Sequence, residues 1–202
     1  MKALAAVGLG ILLLMQPVGV AAGAPGEQVR QSVDTLLAIL KDPRLKREEN
    51  KNERREKLKE VIYQRFDFTE MAKRSLGSEW RRRSPEEQKE FVKLFTDLLK
   101  RAYLEQIESY SGEKIQYLKE QEGDNHAEVP TKIVDNKGQE YSVNYRLHKV
   151  NGDWKVYDVV IEDISLVNNY RSQFNRMLGK SSYEELVNRM KGKTLSAPGT
   201  KS

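Results

Sequence analysis

Apolar side chains at Val29, Val33, Leu36, Leu37 and Leu40 recur at helical spacing, and the spacing predicts one amphipathic helix over 27–40, stopped by Asp42-Pro43. The stretch 46–59 is densely charged and predicts the solvated start of a second helix, whose buried face follows as Leu58, Val61, Ile62 and Phe66. Asp67 is placed to cap a third helix with Phe68, Met71, Ala72 and Leu76 inward and Gly77 closing it. Ser84-Pro85-Glu86-Glu87 reads as a capping box with proline at the first helical position. The helix it opens is the longest, carrying Phe91, Leu94, Phe95, Leu98, Leu99, Ala102, Tyr103 and Ile107. That face is wide enough to line a cavity as well as a core, although plain core packing accounts for most such stripes.

From Glu113 the period changes from helical to two, and strands are expected over about 114–120, 127–134, 140–150 and 154–164. Asn151-Gly152 is a preferred two-residue hairpin turn, which sets Val150 opposite Asp153, Leu147 opposite Val156, Tyr145 opposite Asp158 and Val143 opposite Val160. On that register one face carries Tyr141, Val143, Tyr145, Leu147, Val156 and Val160 around Asp158. Pro130 has no N–H to give a ladder, so its strand is expected at an edge or at a bulge. The stretch 154–174 begins as a strand and ends as a helix, with Ser165 as its cap and Leu166, Val167, Tyr170, Phe174, Met177 and Leu178 at helical spacing. A last helix is expected over 182–191. The fold class is α+β: a helical layer packed on a curved antiparallel sheet of about four strands, cone-like in the manner of NTF2-like sheets, with a hydrophobic pocket between them.

Composition changes the picture mainly at the two ends. Met1-Lys2 followed by an apolar run from Leu4 to Met15 and small residues to Ala24 has the layout of a cleaved secretory signal peptide, expected to span 1–22. The run falls short of the roughly 20 residues that cross a bilayer. Lys2 is the one charge in it, so its removal lowers the formal charge from +5 to +4. A single domain is expected over 27–191 and a disordered tail over 192–202, where Ser, Pro, Gly and Thr leave little to bury. The chain has no cysteine, which rules out a disulfide framework, a thiol nucleophile, zinc–thiolate sites and a lipid-anchored N-terminus.

Catalytic chemistry is sparse. His126 and His148, the only histidines, form neither HxH nor HExxH and make a poor metal site. No Gly-rich phosphate loop, GxSxG elbow or dinucleotide fingerprint occurs. Asp158, a carboxylate expected on an apolar face, is the one candidate general base, because desolvation would raise its pKa. The competing reading has it held by Tyr145, Arg171 or a helix amide. Arg81-Arg82-Arg83 beside Trp80 is the densest basic cluster and suits anionic headgroups, an acidic partner or plain solvation. Basic residues are not interleaved with aromatics as a nucleic-acid binder requires, so no nucleic-acid partner is expected.

Several motifs together resemble the toluene-tolerance or MlaC family. They are Phe66-Asp-Phe-Thr-Glu-Met-Ala-Lys-Arg-Ser-Leu-Gly-Ser-Glu-Trp80, Ser84-Pro-Glu-Glu-Gln-Lys-Glu-Phe91 and the stretch from Tyr103 through Tyr110-Ser-Gly-Glu113. Gly152-Asp-Trp-Lys-Val-Tyr-Asp158 and Ser165-Leu-Val-Asn-Asn-Tyr-Arg-Ser-Gln-Phe174 complete the set. The resemblance implies a monomeric periplasmic carrier, not an enzyme, with phospholipid as cargo and no cofactor. It implies shuttling between an outer-membrane lipoprotein–porin complex and an inner-membrane ABC transporter bearing MCE domains, which maintains outer-membrane lipid asymmetry. A sister branch is associated with hopanoids, so another apolar lipid is the alternative cargo. The family's Glu-Gly-Val-Ser motif has glycine where this chain has Asp163, with Ile164 at the apolar position near the lipid.

A pocket for acyl tails gains about 0.8 kcal/mol per buried methylene. The expected lining comes from the longest helix (Leu94, Leu98, Ala102 and Tyr103), from the hairpin (Val143, Tyr145 and Val160), and from Ile164, Tyr170 and Phe174 of the closing strand-to-helix segment.

Overall fold

The computed structural model describes residues 24–195, so the signal peptide expected over 1–22 and the end of the tail, 196–202, lie outside the described residues. Six α-helices and six strands follow one another as α1 (Pro25–Lys41), α2 (Lys51–Arg65), α3 (Phe68–Leu76), α4 (Pro85–Glu108), β1 (Lys114–Tyr117), β2 (Gln121–Glu122), β3 (His126–Val134), β4 (Glu140–Val150), β5 (Asp153–Ile161), β6 (Ile164–Ser165), α5 (Leu166–Leu178) and α6 (Tyr183–Lys191). The caps lie where the sequence places them. Asp67 accepts from the Glu70 amide at 2.9 Å, Ser84 and Glu87 close a reciprocal capping box, and Ser165 accepts from the Asn168 amide. Each satisfies an amide that the first helical turn would otherwise leave without a partner.

The strands form one antiparallel sheet in the order β1-β3-β4-β5-β6, with β2 also paired to β3. Three expectations need correction. Pro130 is on an interior strand, not at an edge. Its carbonyl accepts from Leu118 on the side where β1 has ended and β2 has not begun, so the missing N–H falls in a gap of the ladder. The β4–β5 register holds from Val150↔Asp153 to Leu147↔Val156 and then shifts by one at a bulge, giving Arg146↔Asp158, Tyr145↔Val159 and Val143↔Ile161. One inserted residue exchanges the two faces of a strand beyond it. Val159 and Ile161 therefore join Val143 and Tyr145, while Val160 and Asp158 turn to the opposite face. The expected last strand also ends early, at Ile161, because Glu162 (φ 46°) and Asp163 (φ 62°) turn the chain back into β6.

The apolar interior falls into three clusters. The largest joins α3, α4, α5 and α6, with Phe91, Phe95, Tyr170 and Phe174 in edge and tilted ring contacts around Met71, Leu76 and Leu98. The second covers the inner sheet face from Ala127 and Val129 to Leu147, Trp154 and Val156, with Val29 of α1. The third, Leu40, Leu58 and Leu104, ties α1 and α2 to the C-terminal half of α4. There Glu108 accepts from both Arg54 and Arg55 through their Nε and Nη2 atoms, at 2.7–3.0 Å.

Candidate functional site

Between these clusters lies a cavity of about 490 Å³. Its size is that of an ordinary small-molecule or cofactor pocket. Helix α1 supplies Val33, Leu36 and Leu37, α2 supplies Ile62, Tyr63 and Arg65, and α4 supplies Leu99, Tyr103, Leu104 and Ile107. The sheet contributes Ile115, Ile133, Val143, Tyr145, Val159 and Ile161. Tyr63 is 41% exposed and Ile161 39% exposed, and with the exposed Lys100, Gln106 and Ser109 they mark the places where the wall reaches solvent. The wall is overwhelmingly aliphatic and aromatic, so it favours hydrocarbon and offers little to a polar substrate.

Of the ten residues expected to line a pocket, the structure brings Tyr103, Val143 and Tyr145 to the cavity. Leu98, Tyr170 and Phe174 are fully buried in the largest cluster, against which Leu94 packs. They are not on the wall, because Leu94 and Leu98 pack on the α5 and α6 side of α4, and Tyr170 and Phe174 of α5 meet them there. Ala102 is half-buried but off the wall. Val160 is turned away by the bulge, and Ile164, 60% exposed, stands beside Ile161 outside the cavity. Sequence reasoning passed over the contribution of α1 and α2, whose stripes read as core. The adjacent Leu36 and Leu37, which widen the α1 face, are the signal that could have found it.

Tyr145 carries the clearest electrostatic mark of the wall: burial pushes its hydroxyl up to about 12. It forms no hydrogen bond to protein among the described residues, which leaves the hydroxyl open to whatever fills the cavity. Asp158 is no base. Its carboxylate is 4% exposed and accepts from the Ser165 hydroxyl at 2.6 Å, the Val167 amide at 3.0 Å and Arg146 Nη1 at 3.3 Å. It anchors the N-terminus of α5, where a negative charge is favoured, and it is not on the cavity wall. The basic cluster is partly neutralised: Arg82 pairs with Glu79, and Arg83 reaches Glu79 and Glu87 while lying over the Tyr183 ring.

An apolar hollow roofed by α1, α2 and α4 and floored by the inner sheet face is the arrangement that the family resemblance anticipates. The family profile described as MlaC protein matches residues 30–192. The chain belongs to the MlaC family. Two relatives bear the same stamp. The chain is 25% identical over 182 residues to the intermembrane phospholipid transport system binding protein MlaC of Haemophilus influenzae, covering 88% of this chain and 85% of that one. It is 28% identical over 170 residues to the toluene tolerance protein ttg2D of Pseudomonas putida, covering 83% and 79%. Among solved structures it is similar to the phospholipid-binding protein from Ralstonia solanacearum, which was solved in complex with a phospholipid. The TM-score is 0.76 at 26% identity, over 85% of this chain and 97% of that chain. The α+β fold of helices over an antiparallel sheet is thus that of an MlaC-family protein. Among the described residues, no helix is long and apolar enough to cross a membrane.

Proposed function

We propose that this protein is a periplasmic phospholipid carrier that holds acyl tails in the cavity between α1, α2, α4 and the inner sheet face. The observation that carries the proposal is a hollow of about 490 Å³ with an apolar wall, maintained between three separately packed clusters. Close packing is the rule in protein interiors, and an unfilled apolar volume of this size forgoes contacts that a hydrocarbon ligand would restore. Ten methylenes moved from water into such a site contribute about 8 kcal/mol, which offsets the similar cost of taking the tail out of a bilayer and keeps the cargo bound in water without any specific polar recognition. The headgroup stays at the opening near Tyr63 and Lys100. The carrier works as a single domain over 27–191 after removal of the leader 1–22, and the tail 192–202 takes no part in binding. It acts as a monomer, receiving cargo from an outer-membrane lipoprotein–porin complex and exchanging it with an MCE-domain ABC transporter of the inner membrane. Support for these steps comes from the family and from the names of the relatives.

Native mass spectrometry of protein purified without detergent, followed by organic extraction, tests the reading. About one phospholipid per chain is the expected result. Protein that is empty as isolated and takes up no lipid from phosphatidylglycerol vesicles overturns it.

A further inference from the structure

Arg65 is one of four charged residues on the cavity wall, with Lys59, Lys100 and Glu113. Its side chain lines the apolar hollow beside Val29, Phe66 and Val156, of which Val29 and Val156 are almost completely buried. The guanidinium makes three hydrogen bonds, all to uncharged acceptors: Nε to the Ser32 hydroxyl at 2.9 Å, and Nη1 to Gln28 Oε1 and to the Trp154 carbonyl. Among the described residues it forms no ion pair. The one acid that acts on it is Asp153, an exposed residue at the start of β5. Burial consequently lowers the pKa of Arg65 from the usual arginine value. Among the described residues Nη2 has no acceptor, and it is not among the polar atoms sealed off inside the molecule.

A half-buried guanidinium remains charged, and a charge in an apolar wall is costly unless an anion compensates it. Elsewhere in the protein, partly buried arginines are compensated: Arg54 and Arg55 share Glu108, and Arg146 reaches Asp158. At Arg65 the three neutral acceptors take the Nε hydrogen and both Nη1 hydrogens, which orients the planar group and leaves the two N–H donors of Nη2 for a charge-assisted bond to an oxyanion. Ser32, which accepts from Nε, lines the same cavity and keeps its own hydroxyl hydrogen on the Gln28 carbonyl, so the pair is pre-ordered.

We infer that the Arg65 guanidinium, held in place by Ser32, Gln28 and the Trp154 carbonyl, forms an anion-binding subsite on the cavity wall that receives at Nη2 the carboxylate or phosphate end of a single-chain amphiphile entering head first. The tail then lies along Tyr145, Leu99 and Leu104. The inference rests on the reading of the cavity as a lipid site and adds a second class of cargo, fatty acids or their phosphorylated counterparts. These would lie opposite in sense to a phospholipid whose headgroup stays at the opening.

The test compares three ligands with the same tail, dodecanoate, dodecyl phosphate and dodecanol, by equilibrium dialysis against the delipidated full chain and its Arg65→Met and Arg65→Lys variants. Wild type is expected to bind at least one of the two anions at least tenfold more tightly than dodecanol. Whichever anion shows the preference identifies carboxylate or phosphate as the natural partner. Arg65→Met should bring that anion to the level of dodecanol, and Arg65→Lys, which keeps the charge and serves if the methionine variant does not fold, should keep part of the preference. Equal binding of all three ligands to wild type, or a preference that survives in Arg65→Met, overturns the subsite while leaving the tail-binding cavity intact. If dodecanol does not bind and phosphatidylglycerol vesicles deliver no lipid either, the cavity reading itself has failed, and the subsite with it.

Discussion

Replacing Val143 by tryptophan separates the cavity from the core. Val143 lies on the inner sheet face opposite Ile161, and its side chain borders the hollow. In a filled core, an enlargement of this kind costs about 1–3 kcal/mol through forced rotamers and backbone shifts. Here the indole has open volume to enter, so the lipid-free protein should lose less than about 1 kcal/mol. If the ring takes the space of four methylenes, binding weakens by about 3 kcal/mol. At 1.4 kcal/mol per decade, that is a little over two orders of magnitude in Kd. Leu98→Ala is the converse. Leu98 is 1% exposed inside the α3–α6 cluster and off the wall, so its truncation should destabilise the fold by about 3 kcal/mol and leave lipid affinity unchanged. The assay is uptake from phosphatidylglycerol vesicles, quantified by extraction from re-isolated protein, alongside urea unfolding of the delipidated forms. If Val143→Trp retains full lipid while Leu98→Ala loses it, the cargo lies among α4, α5 and α6 and the assigned cavity is wrong.

Three further outcomes follow from the same structure. Burial opposes ionisation of Glu108, but hydrogen bonds from Arg55 and Arg54 outweigh it and hold its carboxyl below the usual range. Its contribution is therefore complete above about pH 4.3 and is lost as pH falls through the depressed value. Glu108→Gln should cost about 2 kcal/mol at pH 7 and flatten the acid limb of a plot of Tm against pH. An acid limb as steep as that of wild type refutes the assignment. At alkaline pH the sign reverses. Tyr145, raised to about 12 by burial, contributes stability that is complete below about pH 10 and is lost on the way to 12, so between pH 8 and pH 11.5 wild type should lose stability relative to Tyr145→Phe, as read by urea unfolding at the two pH values. Asp163→Gly relieves a non-glycine residue at φ 62° and should raise the urea midpoint, with a gain of up to about 1 kcal/mol; a lowered midpoint would show that the Asp163 side chain stabilises the turn.

The helices were legible because helical spacing and capping are local. Ser84 with Glu87, Asp67 and Ser165 announce α4, α3 and α5 in the sequence, and the change to a period of two after Glu113 announces the sheet. The cavity wall was only partly legible, because two decisions are tertiary. Leu98 and Leu99 are adjacent and equally apolar. Both pack in the α3–α6 cluster, and which of them also reaches the cavity depends on where α1, α2 and the sheet lie; in the structure it is Leu99. The bulge at β4–β5 has no glycine or proline to mark it, yet it exchanges Val160 for Val159 and Ile161 on the inner face. The Asn151-Gly152 turn predicts the register correctly up to Leu147↔Val156 and can say nothing beyond the inserted residue.

The division of the apolar interior into three clusters has a consequence for how the protein responds to heat. A cargo tail touching all three acts as a missing keystone, and native-state binding adds stability as RT ln(1 + [L]/Kd). A loaded chain should melt as one unit. An emptied one should let the α1–α2 pair, held to the sheet by Val29 and Arg65 and to α4 by Leu104 and Glu108, exchange its amide hydrogens ahead of the sheet. Melting temperature thus becomes a gauge of occupancy.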